Sequence, residues 1–171
     1  MEIALISDTH SHLDNKIWKY LEAVDEIWHG GDVGTISTLE KLEKIKPVYG
    51  VYGNIDDHQI RKVLPEFLVL ERLGWKFALT HIGGKPYVYP ARVSHWLDQV
   101  KPHVYICGHS HILRVERDKK RGFLYLNPGA AGNHGFHKIK TLLLFSIDPE
   151  MGIKNLRVVE LGRRGELADS I

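Results

Sequence analysis

Strand-like and helix-like segments alternate through the first two thirds of this 171-residue chain, which predicts a layered α/β fold followed by successive strands. Two observations carry the prediction. Short apolar runs closed by Gly, Pro or Asp recur between segments whose apolar residues repeat at helical spacing. From residue 103 onward only strand-like runs and turn clusters remain, so the second half reads as mostly antiparallel.

In order, residues 2–7 read as a buried strand that stops at Ser7-Asp8, and Ile17, Leu21 and Val24 then share a helical stripe. Ile27 and Trp28 make a short strand closed by Gly30-Gly31. Ser37-Thr38-Leu39-Glu40 fits a capping box for a helix lined by Leu39, Leu42 and Ile45 and stopped by Pro47. A strand at 48–52, a helical turn at 57–62 and a hairpin of 66–72 with 75–80 through Gly74 follow. Pro90 takes the first position of a helix with the face Val93, Trp96, Leu97 and Val100, ending before Pro102. The remaining strands are 103–107, 112–117, 122–126, 140–147 and 153–160, joined in part by turns at 118–122 and 148–152. No linker interrupts the chain, so residues 1–171 read as one domain with 162–171 as a polar C-terminal tail.

Composition narrows the function. Lys and Arg total 23 against 21 for Asp and Glu, a net charge of +2 that gives no basis for dedicated binding of long nucleic acids. The single cysteine, Cys107, excludes an intrachain disulfide and points to the cytoplasm; its apolar neighbours predict a buried, inert thiol. The apolar run at the N-terminus is too short for a leader or a span, so no membrane partner is expected. Trp18, Trp28, Trp75 and Trp96 read as core or interface residues, and Arg117 to Arg121 as a solvated hairpin tip. Tyr87 and Tyr89 suit a pocket rim or a homo-oligomer contact equally. Eleven histidines are the unusual feature.

Five strand ends share one design, a small residue followed by a metal-capable side chain: Ser7-Asp8, Gly31-Asp32, Gly53-Asn54, Thr80-His81 and Gly108-His109. Ligands of α/β sheets bind at carboxyl ends of strands, so the five ends could enclose one pocket. Extended alternation would aim Asp8 with His10, and His109 with His111, to one side. The seven candidates are Asp8, His10, Asp32, Asn54, His81, His109 and His111, an imidazole and carboxylate set with one amide that suits divalent Mn, Fe, Co, Ni or Zn. Four contacts to each of two ions require one bridging carboxylate, and ions about 3.5 to 4 Å apart can clamp both oxygens of an in-line displacement. Two divalent ions against the charges of Asp8 and Asp32 leave a positive site that favours a phosphate anion.

These blocks, in this order over residues 8–111, resemble the calcineurin-like metallophosphoesterases, specifically their small single-domain bacterial and archaeal phosphodiesterase branch. Asn127-Pro128-Gly129 is similar to the family's loop after the paired histidines. The resemblance implies a two-layer β-sandwich of mixed sheets flanked by helices. It implies one ion on Asp8, His10, Asp32 and His111 and a second on Asn54, His81, His109 and the shared Asp32, with Mn preferred and Ni, Co, Fe or Zn as alternatives. Asp32, Asn54 and His109 would carry catalysis of small phosphoester hydrolysis, with a hydroxide held between the metals as nucleophile.

One departure matters: many members place a histidine after the motif asparagine, whereas this chain has Ile55, which cannot protonate a leaving oxygen. Activated phosphodiesters should therefore be cleaved ahead of alkyl monoesters, as the smaller branch also prefers. Asp56 is expected to orient a ligand histidine, and His134 and His137 are candidates for substrate contact or acid catalysis. His12, His29, His58, His95 and His103 read as ordinary side chains. The main rival is a non-catalytic protein-interaction scaffold on the same fold, as in a retromer-associated member of the superfamily, and a metal-dependent nuclease is chemically adjacent.

Overall fold

The computed structural model describes residues 1–165. Along the chain run β1 (Glu2–Ile6), a 3-10 turn (Asn15–Ile17) continuing as α1 (Trp18–Leu21), β2 (Glu26–His29), α2 (Ile36–Glu43), β3 (Val48–Gly50) and α3 (His58–Val63). The hairpin β4 (Phe67–Arg72) and β5 (Trp75–Thr80), α4 (Ala91–Val100), β6 (Val104–Ile106), β7 (Leu113–Arg117), β8 (Leu124–Pro128), β9 (Ile139–Asp148) and β10 (Gly152–Arg163) complete it. The strands form two five-stranded sheets, β10-β9-β1-β2-β3 and β4-β5-β6-β8-β7.

Side-chain alternation makes these sheets the middle layers of the molecule. From β1, Ile3 and Leu5 enter the core between the sheets with Trp28, Phe145, Phe77, Leu79, Ile106 and Leu126. Ala4 and Ile6 turn to the opposite face, where Ile17, Leu21 and Leu42 cover them. On the outer face of the second sheet, Val93 and Leu97 of α4 pack against Ala78, Tyr105 and Tyr125. Being covered on both faces is why the central strands read as unbroken apolar runs. Trp28 occupies the middle of the inter-sheet core, edge-on to Phe77 at 4.8 Å and Phe145 at 5.7 Å. Its indole N–H donates to Glu26 at 2.9 Å, and Arg72 neutralises that carboxylate at 3.0 Å.

Several boundaries differ from expectation, each for a local reason. The α2 helix starts at Ile36 with Thr35 in the capping position, not at a Ser37 box, because Asp56 holds the N–H groups of Val33 and Gly34 and turns the chain earlier. The first helix ends at Leu21, leaving Val24 buried but outside it. Pro90 caps α4 from an extended conformation rather than opening it. The second half is less antiparallel than predicted: β5, β6 and β8 are parallel neighbours, since α4 supplies a crossover and β7 is displaced to the edge. The expected tail begins too early, because Gly162 and Arg163 still pair with Lys140 and Ile139; residues 166–171 lie outside the described residues.

The loops at the strand ends are cross-linked by backbone and buried side chains. Asp8 N–H donates to Gly31 at 2.9 Å, His10 N–H to Asp32 at 3.0 Å and Ser11 N–H to Val33 at 2.9 Å. His29, read from sequence as an ordinary side chain, is fully buried at the centre of this lattice because the end of β2 turns its ring inward. Its Nδ1 accepts from Gly31 N–H at 3.1 Å, which leaves the proton on Nε2, 3.0 Å from the Thr9 hydroxyl. Thr9 in turn donates to the Val33 carbonyl at 3.0 Å.

Burial pushes the His29 pKa down from 6.5 to about 4, against the opposing pull of Asp56 and Asp8. The folded protein thus keeps His29 neutral while the unfolded chain takes up a proton below pH 6.5, so this contribution is intact above 6.5 and is lost as pH falls towards 4. In chelator-treated protein we expect Tm to fall more steeply between pH 6.5 and 4 than above 6.5, and His29→Gln to flatten that acid slope while costing about 1–3 kcal/mol at pH 7. Equal acid slopes for the two proteins would show that His29 is not the responsible group.

Candidate metal centre

Asp8 follows β1, Asp32 lies just beyond β2, Asn54 beyond β3, His81 after β5 and His109 after β6, so both sheets direct their strand ends to one place. Six of the seven sequence candidates form two groups there: Asp8, His10 and His111, and Asp32, His81 and His109, with one ligand-capable atom of each residue within 4.8 Å of the others in its group. The groups adjoin through carboxylates. Asp32 Oδ2 is 3.2 Å from His81 Nε2 and 3.7 Å from His10 Nε2, and thus stands between the two sets. Asp8 Oδ1 lies 3.1 Å from His111 Nε2 and 3.9 Å from His81 Nε2.

The backbone that achieves this is not the extended one the i, i+2 spacing suggested. Asp8, His10, Asp32, His109 and His111 have φ of 54°, 46°, 55°, 66° and 56°, all left-handed. Such conformations cost non-glycine residues roughly 1–3 kcal/mol each and persist where surrounding structure over-determines them. Here the inter-loop hydrogen bonds do so, together with Asp8 Oδ2, which accepts the His109 N–H at 3.2 Å. Two glycines permit the close approach: a Cβ at Gly53 would lie 1.9 Å from Asp32 Oδ1, and one at Gly31, itself at φ +100°, would lie 2.5 Å from His81 Nδ1.

The donor atoms are incomplete without a cation. Asp8 Oδ1, His10 Nε2 and His81 Nε2 are buried and have no hydrogen-bond partner, so their short contacts to one another are proximity without hydrogen-bond alignment. His81 Nδ1 lies 2.8 Å from the Gly30 carbonyl and must carry a proton there, which turns Nε2 towards Asp32 and Asp8. Burial works to lower the His81 pKa, but the Asp32 and Asp8 carboxylates outweigh it and hold the pKa above the ordinary value. Burial would raise Asp32, yet His81 and the Ile55 N–H at 3.0 Å hold it low. Burial also lowers His10, and burial with the neighbouring His81 lowers His109, which favours the neutral, coordinating form. Imidazoles and carboxylates with bare, convergent lone pairs fit divalent metal ions.

The remaining candidates separate. Asn54 is exposed on the loop beside the second group and lines, with His81, a cavity of about 340 Å³. Asp56 does not orient a ligand histidine: its buried carboxylate accepts the N–H groups of Val33, Gly34 and Gly53 at 3.1, 2.7 and 2.8 Å, joining the Asp32 and Asn54 loops. Position 55 contributes its backbone, through the bond to Asp32, rather than its side chain. His134 and His137 flank the first group, with ring centroids 4.9 Å from His10 and 5.3 Å from His111. His137 Nε2 donates to Gly132 at 2.9 Å, leaving its buried Nδ1 without a partner. Asn127 ties down the paired-histidine loop by donating to Gly108 at 2.8 Å and Ser110 at 3.1 Å.

Cys107 is buried with its thiol pKa pushed up to about 12 by burial, an inert group as expected. The Arg117 to Arg121 segment is a turn gathered around Asp118, with Arg121 paired to Asp98. Sequence reasoning passed over Arg61, whose guanidinium clamps the Asn54 loop through the carbonyls of Asp56, Gly53 and Asn54 at 2.7, 3.4 and 3.3 Å. An arginine in the last turn of a short surface helix carries no signal that separates it from a solubilising one.

Comparison with known proteins agrees with this fold. Among solved structures, Vps29 from Entamoeba histolytica, complexed with zinc, superimposes with a TM-score of 0.72 at 20% identity, covering 95% of this chain and 100% of that one. An archaeal phosphodiesterase gives 0.72 at 23% identity over 94% and 99% of the chains. A predicted phosphoesterase from Streptococcus pneumoniae gives 0.65 at 19% identity over 93% and 97%. At these identities the likeness is one of fold. No curated protein matches the chain. The model of the calcineurin-like phosphoesterase superfamily domain matches residues 1–150, and the chain belongs to that superfamily.

Proposed function

We propose that the protein is a cytoplasmic, single-domain phosphodiesterase working through a dinuclear metal centre, with Mn as the preferred ion. The observation that carries this reading is the trio of buried, unpartnered donor atoms on Asp8, His10 and His81, with His10 and His81 converging on Asp32 Oδ2 and Asp8 Oδ1 3.9 Å from His81. Asp8, His10, Asp32 and His111 would hold one ion, and Asn54, His81, His109 and the shared Asp32 the other. When bound, two divalent ions supply water activation near neutral pH and neutralise phosphoryl charge.

The chain's own residues do the rest. Asp32 fixes the separation of the two groups, Gly30 sets the His81 tautomer, and the Asp56 and Arg61 contacts keep the Asn54 loop against Asp32. Ile55 has an exposed side chain with no proton to give, so position 55 supplies no leaving-group acid and turnover favours an alcohol that leaves without one there. Among the described residues no helix is long and apolar enough to cross a membrane, and a small, freely diffusing phosphoester is the proposed substrate. Exposed Ile112, Val115 and Phe136 are the feature that favours a scaffold instead, and the convergent buried donors of Asp8, His10, Asp32 and His81 are the feature that favours the hydrolase.

Chelator-stripped protein should be inactive on bis-p-nitrophenyl phosphate and regain turnover with Mn. His109→Ala and Asp32→Ala should lower that turnover by more than the roughly 10- to 100-fold typical of residues one shell out from a metal, and Asp32→Ala should reduce bound metal at both sites. Gly53→Ala should do the same to metal content through the Cβ forced onto Asp32. Absence of turnover with Mn, Ni, Co or Zn, despite measured metal binding, would support the scaffold. In kcat/KM, bis-p-nitrophenyl phosphate should exceed an alkyl monoester such as glycerol phosphate by at least about 100-fold, the lower bound for missing acid catalysis; equal efficiency would refute the leaving-group argument.

A further inference from the structure

The cavity of about 340 Å³ beside the second group shares His81 and Asn54 with the metal centre, so a phosphoryl group held there has an ester substituent facing it. Its volume is near the lower end for small-molecule pockets, room for one ring-sized group rather than a polymer. Tyr52, Phe67, Ile82 and Val93 contribute its apolar lining.

The charged groups at this cavity are already engaged. Arg92 donates to both oxygens of Glu66, at 2.6 and 3.1 Å, and Tyr52 donates to the same carboxylate at 3.3 Å. Arg61 is committed to the backbone carbonyls of the Asn54 loop. A second anion would meet Glu66 and find no free cation. The aromatic walls are pre-set: the Arg61 guanidinium lies 4.7 Å from the Tyr52 ring centroid, Arg92 lies 4.8 Å from that of Phe67, and Trp96 packs on Phe67 at 4.7 Å. A rigid apolar wall binds a planar group with little ordering cost, and aromatic side chains favour ring contacts over chains.

We infer that this cavity is the specificity pocket of the enzyme and receives an uncharged aromatic ester substituent, an aryl group or a base, with Tyr52, Phe67 and Ile82 as the selecting residues. The inference rests on the phosphodiesterase reading. Two non-hydrolysable probes differing only in the ring, phenylphosphonate and methylphosphonate, test it by calorimetric titration of the Mn-loaded protein. The wild type should bind phenylphosphonate about tenfold or more tightly than methylphosphonate, as expected for burying a ring. Ile82→Trp, which fills the cavity from an exposed position, and Tyr52→Leu, which removes one aromatic wall, should each bring the ratio towards one, whereas Ile82→Val should retain it.

Equal affinities in the wild type, binding of neither probe, or an undiminished ratio in both folded variants would overturn the assignment. Equal affinities accompanied by turnover of bis-p-nitrophenyl phosphate would remove the pocket and leave the hydrolase. A ring preference without turnover of any ester would do the reverse.

Discussion

Two carboxylates, Asp8 and Asp32, are buried to 0% and 2% exposure with His81 shared between them, and much of the strand-end architecture answers that burden. Ionised carboxylates are costly to bury unless paired and hydrogen-bonded. Asp8 receives the His109 N–H, Asp32 receives the Ile55 N–H, and histidines surround both. This leaves Asp8 Oδ1 and two histidine nitrogens with no hydrogen-bond partner, a deficit that a bound cation would relieve. Metal affinity and fold are therefore coupled: ions that bind only the folded arrangement also stabilise it.

Strain at the site is offset in the surrounding lattice. Five of the candidate ligand residues adopt left-handed backbone conformations, and each loop that holds them is bonded to another loop rather than to its own strand. His29, Asp56 and Asn127 do this from outside the two groups, each linking segments about twenty residues apart, and Arg61 braces the Asn54 loop locally. The sandwich makes the arrangement possible, because both sheets present strand ends to a common edge and the Trp28-centred core fixes their relative position.

Local chemistry was the legible part of the sequence. The strand ends were marked by a small residue before a ligand, and the Val93, Trp96, Leu97 and Val100 stripe gave α4 almost to the residue. The pairing of β5, β6 and β8 was not legible, since neighbours in a sheet separated by a crossover and an edge hairpin leave no local trace. Extended alternation accounted for the spacing of Asp8 with His10 but not for their φ values, which arise from hydrogen bonds to a loop more than twenty residues away. Asp56 and His29 were misread for the same reason: their partners are backbone N–H and hydroxyl groups, to which residue type gives no pointer.

The most direct test of the central claim is anomalous diffraction from a crystal of the protein soaked in Mn. The account predicts two peaks about 3.5 to 4 Å apart, with Asp32 in contact with both. A single peak, or two that do not share Asp32, would contradict it.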